Sequence, residues 1–171
     1  MTMPARLAIP VLFAALVCAA PVRAADMTMA PVAAPASTGV AVRGAVTQPR
    51  TWTLDDLKKM PAQTVNVTQQ TDHGPVSGSF AGVLLWSLID QAGPANGPEK
   101  NAYLRHTILV SGTDNYAVAL SEGEIDPKLE GKQVLIAYMK DGTPLDGPRL
   151  VVPGDAHASR GVHDVAAIEV R

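Results

Sequence analysis

The side chains best able to meet a ligand gather near the C-terminal end of the sequence. Asp155, His157, Ser159, Arg160 and His163 fall in one short segment between Pro153 and Val165. Arg160 offers a planar fork of donors that suits phosphate or carboxylate. His157 and His163 add imidazoles that donate most strongly when protonated. Gly154, Ala156, Ala158 and Gly161 are small enough to let backbone approach a bound group. The competing reading is a solvated loop in which Arg160 pairs with a nearby acid. His73, in a Gly-bearing stretch upstream, supplies a third imidazole. His73, His157 and His163 with Asp72 or Asp155 form a candidate metal set. The spacing of His157 and His163 fits no established zinc pattern, so no metal ligand is assigned. Gly-x-Ser-x-Gly elbows and phosphate-binding glycine loops ahead of a helix are both missing, and no catalytic residue is assigned.

These residues need a scaffold, and the rest of the chain describes one. Leu150, Val151 and Val152, bounded by prolines, predict a short buried strand, and residues 165–170 predict another. Upstream, Val40 to Val46 alternates as a first strand. Thr53 to Met60 predicts a short helix with Thr53 as its cap, Asp55 and Asp56 in the first turn, and Pro61 as its stop. Residues 64–70 alternate as a strand, and residues 71–80 read as a loop. From Phe80 to Gly93 the chain is apolar nearly all round, which predicts a buried helix anchored by Trp86 and ended by Gly93. Residues 106–112 and 116–120 read as strands joined through Asp114, whose side chain shapes the turn. Ser121 to Glu124 has capping-box spacing. Residues 133–139 predict a strand that turns back through Asp141-Gly142. Strands in excess, with short helices and many Pro and Gly turns, make the class α+β, a mostly β mixed-sheet domain.

The first residues have the plan of an export signal. Arg6 supplies a positive start, Leu7 to Ala20 is apolar, and Val22-Arg23-Ala24 offers a small-residue cleavage site. Residues 1–24 are therefore read as a signal peptide, 25–40 as a flexible Ala/Pro linker and 41–171 as the domain. The apolar run is short for a membrane span, so no stable membrane anchor is expected, and the location is periplasmic or secreted. The chain has a single cysteine, Cys18, which cleavage after Ala24 removes. Met27 and Met29 could bind a soft metal, but two thioethers are too few for a firm site. The formal net charge is −2, and losing Arg6 and Arg23 makes it more negative. Without a basic run to neutralise phosphates, nucleic-acid binding is excluded.

Taken in order, several motifs form a recognisable succession. They are Pro49-Arg-Thr-Trp-Thr-Leu-Asp-Asp-Leu57, Phe80-Ala-Gly-Val-Leu-Leu-Trp-Ser-Leu88 and Asp114-Asn-Tyr-Ala-Val118, then Ala137-Tyr-Met-Lys-Asp-Gly-Thr-Pro-Leu145, Arg149-Leu-Val-Val-Pro-Gly154 and Ser159-Arg-Gly-Val162. From about residue 40 to 171 this resembles the sulfite-oxidase-type molybdopterin-binding domain, especially its short exported bacterial forms. The resemblance implies a compact, mostly β fold and a molybdopterin cofactor. Full members hold molybdenum through a cysteine between the strand at residues 65–68 and the aromatic-x-Gly at Phe80. Here that segment reads Gln69-Gln70-Thr71-Asp72-His73-Gly74, with no thiol. Molybdenum of this class wants a soft, deprotonated sulfur, so none is expected to be held by protein thiolate. The family's phosphate-gripping loop carries an Arg followed by Val-Lys-Trp. Arg160 and Val162 match it, while His163 and Asp164 replace the Lys and Trp. The resemblance also brings the segment after Thr68 beside the segment after Pro153, which would place Arg160, His163, His73 and His157 around one cofactor-binding pocket.

The expectation is an exported binding or accessory module that lacks redox chemistry of its own, partnered by a periplasmic protein or a small anionic ligand. The alternative is a molybdopterin-dependent oxidoreductase in which His73, Gln70 or an exogenous ligand completes the metal.

Overall fold

The computed structural model describes residues 39–171. The expected signal peptide, most of the expected linker and the Met27/Met29 pair lie outside the described residues. Among the described residues no helix is long and apolar enough to cross a membrane.

Two sheets build the fold. The five-stranded sheet runs β2-β1-β9-β5-β6, from β1 (Gly39–Gly44), β2 (Arg50–Thr53), β5 (Thr107–Gly112), β6 (Ala117–Ser121) and β9 (Val165–Val170). Within it β1 and β9 pair in parallel and the other ladders are antiparallel. The antiparallel four-stranded sheet runs β3-β4-β7-β8, from β3 (Gln63–Thr71), β4 (Gly74–Leu84), β7 (Leu135–Lys140) and β8 (Thr143–Val151). Three short helices, α1 (Leu54–Lys59), α2 (Leu85–Ala92) and α3 (Glu122–Ile125), complete the set with two 3-10 turns at residues 102–105 and 158–160. The α+β expectation holds, with strand predominant.

Alternation along the strands divides the apolar residues into two clusters. Val40, Val42, Ile108 and Ile168 from one sheet meet Ile136 and Leu150 from the other in the main core, with Leu85, Leu88 and Ile89 of α2. On its opposite face the four-stranded sheet carries Val65, Val67, Phe80, Leu135, Ala137 and Val151. Period-two side-chain placement explains why Leu135 and Ile136 fall in different clusters.

Local signals are met closely at α1. The Thr53 hydroxyl accepts from the Asp56 backbone N at 3.2 Å, and the Asp56 carboxylate accepts from the Thr53 backbone N at 3.1 Å, a reciprocal capping box. At α3 the expected box is only half made. Ser121 accepts from the Gly123 backbone N at 3.1 Å, but Glu124 turns instead to Lys132 and Arg160. Asp141 and Gly142 both take positive φ, 49° and 78°, as a tight hairpin requires. Asp114 shapes its turn as expected, accepting from the Tyr116 backbone N at 2.9 Å.

Two expectations are overturned. Residues 74–84 form one long strand, not a loop followed by a helix, and α2 begins only at Leu85. The reason lies in the two partners of β4. It is laddered to β3 from Gly74 to Gly82 and to β7 from Phe80 to Leu84. Tertiary pairing thus overrides the all-round apolar pattern of the segment. Gly82 permits it, because a Cβ there would sit 2.2 Å from the Ile136 carbonyl oxygen at the bulge between β4 and β7. The outer part of the β3–β4 ribbon carries mostly exposed polar residues, which is why its composition resembles a loop. The helix still ends at Gly93 in the left-handed conformation, whose N–H reaches the Ile89 and Asp90 carbonyls.

Candidate functional site

The end of β3 lies against the loop that follows β8. The Gln69 side-chain amide donates to the Val152 carbonyl at 3.0 Å, and the Gln70 backbone N donates to the Ala156 carbonyl at 2.8 Å. Gln70 and His157 form a parallel bridge. Beside it opens a cavity of about 280 Å3 lined by Gln70, Thr71, Asp72, His157, Ala158 and Ser159. The two segments do come together, and the donors they present are amide, hydroxyl, carboxylate and imidazole. His73 sits exposed at the tip of the β3–β4 hairpin, with its backbone N on the Thr71 hydroxyl, and does not line this cavity.

Arg160 is spoken for. Its Nε and Nη2 grip both Asp155 oxygens at 2.8 and 2.6 Å, and its Nη1 reaches Glu124 at 3.1 Å. Lys132 adds a second cation to Glu124 at 2.7 Å. These partners raise the Arg160 pKa further and leave its fork filled. The hydrogen bond from Arg160 holds the Asp155 carboxyl below its usual range. Burial pushes Glu124 upward, but bonds from Lys132 and Arg160 outweigh it and lower the pKa. The competing expectation, an arginine paired with nearby acids, is the one observed.

A half-buried cation without a salt bridge among the described residues is Arg149, on β8, which sequence reasoning did not single out. It is half-buried and lies over the Phe80 ring at 5.8 Å, with Lys140 over the same ring at 5.6 Å. Among the described residues it makes no salt bridge, and burial lowers its pKa. Arg149 and His163 line a groove of about 240 Å3 with Leu145, Asp146, Gly147 and Asp164. Burial, and then the Arg149 charge, push the His163 pKa down, with Asp164 and Asp114 opposing. A signal for Arg149 was present in the sequence: a lone guanidinium entering an apolar strand, Arg149-Leu-Val-Val.

The four residues expected around one pocket are therefore divided. His157 lines the cavity at Gln70, His163 lines the groove at Arg149, Arg160 is held by carboxylates and His73 stands apart. Among the described residues no group of three or more His, Cys, Asp or Glu side chains is arranged to hold a metal ion. Chemically Arg149 has donors to give an oxyanion and His163 gains charge as one approaches, while the Asp146 and Asp164 carboxylates that also line the groove oppose it. The cavity at Gln70 has no soft donor and does not suit thiolate-dependent molybdenum.

Comparison with known proteins agrees with this fold. Residues 27–171 match the model of the oxidoreductase molybdopterin binding domain. No curated protein matches the chain. Among solved structures, the sulfane dehydrogenase SoxCD from Paracoccus pantotrophus is similar with a TM-score of 0.62 and 20% identity. That likeness covers 77% of this chain and 37% of the SoxCD chain, and at such identity it speaks for the fold alone. With the family model spanning most of the sequence, the chain belongs to the oxidoreductase molybdopterin-binding domain family, of the sulfite oxidase type.

Proposed function

We propose that this protein is an exported accessory or binding module that takes an oxyanion at Arg149 and His163 and carries out no molybdenum redox chemistry of its own. The anion class that best suits the family is the phosphate of a molybdopterin. The observation that carries the reading is Arg149, a half-buried guanidinium without a salt bridge among the described residues, in a groove with His163 that Asp146 and Asp164 also line. Leaving a charge partly desolvated and unpaired is costly, and an anion in the groove would relieve it. Against redox catalysis stands the donor set: the sole cysteine is Cys18, and the segment Gln69–Gly74 carries no sulfur. Export rests on the signal-like residues 1–24, with a periplasmic protein as the partner that would receive or supply the ligand.

Expression in a host that makes molybdopterin, followed by elemental analysis of the purified protein, separates this from the molybdenum oxidoreductase alternative. The expected outcome is far less than one molybdenum per chain. A stoichiometric, redox-cycling metal would establish the alternative. Calorimetry with inorganic phosphate tests the anion groove separately, and absence of binding would remove that part of the reading. Size determination before and after secretion from a bacterial host tests export through loss of residues 1–24.

A further inference from the structure

Away from the groove, α2, the 3-10 turn at residues 102–105 and α3 border a cavity of about 290 Å3 that shares no lining residue with the Arg149 groove. It is lined by two carboxylates, Glu122 and Asp126, which are 2% and 4% exposed and are the buried charged residues of the described core. Glu122 has a partner, His106, whose Nδ1 lies 2.5 Å from its Oε2. Asp126 is less well served. Its Oδ1 accepts from the Lys128 backbone N at 2.8 Å, its Oδ2 has no hydrogen-bond partner among the described residues, and it makes no salt bridge there. Burial pushes the Glu122 carboxyl up, His106 pulls it down, and the neighbouring Asp126 charge adds to the upward push. Of these two neighbouring buried carboxylates only Glu122 has an imidazole partner, so Asp126 is left without a counterion among the described residues.

The walls say what kind of counterion fits. Trp86 and Tyr103, both half-buried, line the cavity, and Asp90 adds a further carboxylate. Aromatic faces attract a cation through their quadrupole, and desolvated carboxylates supply the charge and hydrogen-bond acceptors an ammonium needs. A bare metal ion is poorly served, because no metal-holding group of three or more side chains exists among the described residues. We propose that this cavity binds a primary alkylammonium group, with Asp126 as its charge partner and Trp86 and Tyr103 around its alkyl stem. Lys128 also lines the cavity, is exposed and makes no salt bridge among the described residues, so its own ammonium competes for the site.

The test is titration of the full chain with n-butylammonium chloride at constant ionic strength, followed by calorimetry and indole fluorescence. Sodium chloride is the control. Saturable binding is expected, weakened at least tenfold by Asp126→Asn and several-fold by Tyr103→Leu, and unchanged or tightened by Lys128→Gln. Asparagine keeps the oxygen that accepts from Lys128, so the turn is preserved, and unchanged phosphate binding at Arg149 would verify the fold of each variant. A short peptide with one internal lysine distinguishes a protein side chain from a free amine as the source of the ammonium. No saturable binding, or equal binding by Asp126→Asn, would overturn the proposal. So would binding seen only in Lys128→Gln, which would make Lys128 the resident cation.

Discussion

Arg160 gives both edges of its guanidinium to carboxylates, whereas Arg149 lies over the Phe80 ring and makes no salt bridge among the described residues. The two should respond oppositely to replacement by methionine, which keeps an unbranched apolar stem and removes the charge. Arg149→Met is expected to weaken phosphate binding at least tenfold, read by calorimetry, while Arg160→Met leaves that affinity within about twofold. Stability should reverse the order. Stripping Arg160 leaves Asp155 without its partner and Glu124 with Lys132 alone, about 1–3 kcal/mol by urea unfolding, below the cost of a fully buried pair because Arg160 is 31% exposed. His163 gives a pH signature. Its folded pKa lies below the usual 6.5, so the free protein keeps it neutral near pH 7. An anion favours the charged ring, so phosphate affinity should rise as pH falls from 7.5 toward 5.5, after allowance for phosphate's own titration. His163→Asn should flatten that rise. For folding the sign is opposite: protonation costs the native state, so His163's contribution is lost as pH falls below 6.5 through the lowered value. Arg160 and His163 were legible as candidates because loop composition displays them. The fate of Arg160 was half legible. Asp155 is its near neighbour in sequence, but Glu124 arrives from α3 and no local pattern announces it.

At the scale of elements, the boundary between β4 and α2 is where sequence and structure part. Phe80 to Ile89 has a hydrophobic pattern that a buried helix and a doubly paired strand share, and only the presence of β3 and β7 on either side decides between them. Gly82 marks the place. Replacing it with alanine should drive a methyl against the Ile136 carbonyl and cost about 1–3 kcal/mol, read by thermal unfolding. Were the segment helical, the same change would stabilise it by about 1 kcal/mol. The elements with purely local signals were readable in advance. Thr53 and Asp56 close their capping box and Asp141-Gly142 makes its turn, because every group involved lies within a few residues of its partner. The strand β2 and the 3-10 turn around Tyr103 had no such signal, since their form depends on β1 and α3.

For the molecule as a whole, acid stability should run through the staple between α3 and the loop after β8. Asp155 and Glu124 have lowered pKa values, so the stability they contribute is present above about pH 4.5 and is lost as pH falls through their folded values. Urea midpoints measured from pH 6 to pH 3 should fall, and Arg160→Met should fall less steeply because Asp155 loses its hydrogen-bonded cation and Glu124 keeps only Lys132. The family was legible through the order of its motifs, none of which is diagnostic alone. The division of the expected pocket into two separate places was not, because it depends on which carboxylates reach which arginine in space.

The strand β9 comes last in sequence among the described elements yet lies inside its sheet, between β1 and β5. While the polypeptide is being made, β1 and β5 have no common neighbour, and the main core lacks Val165, Ile168 and Val170. The β2–β1 and β5–β6 parts of the sheet are therefore joined only when β9 slots between them.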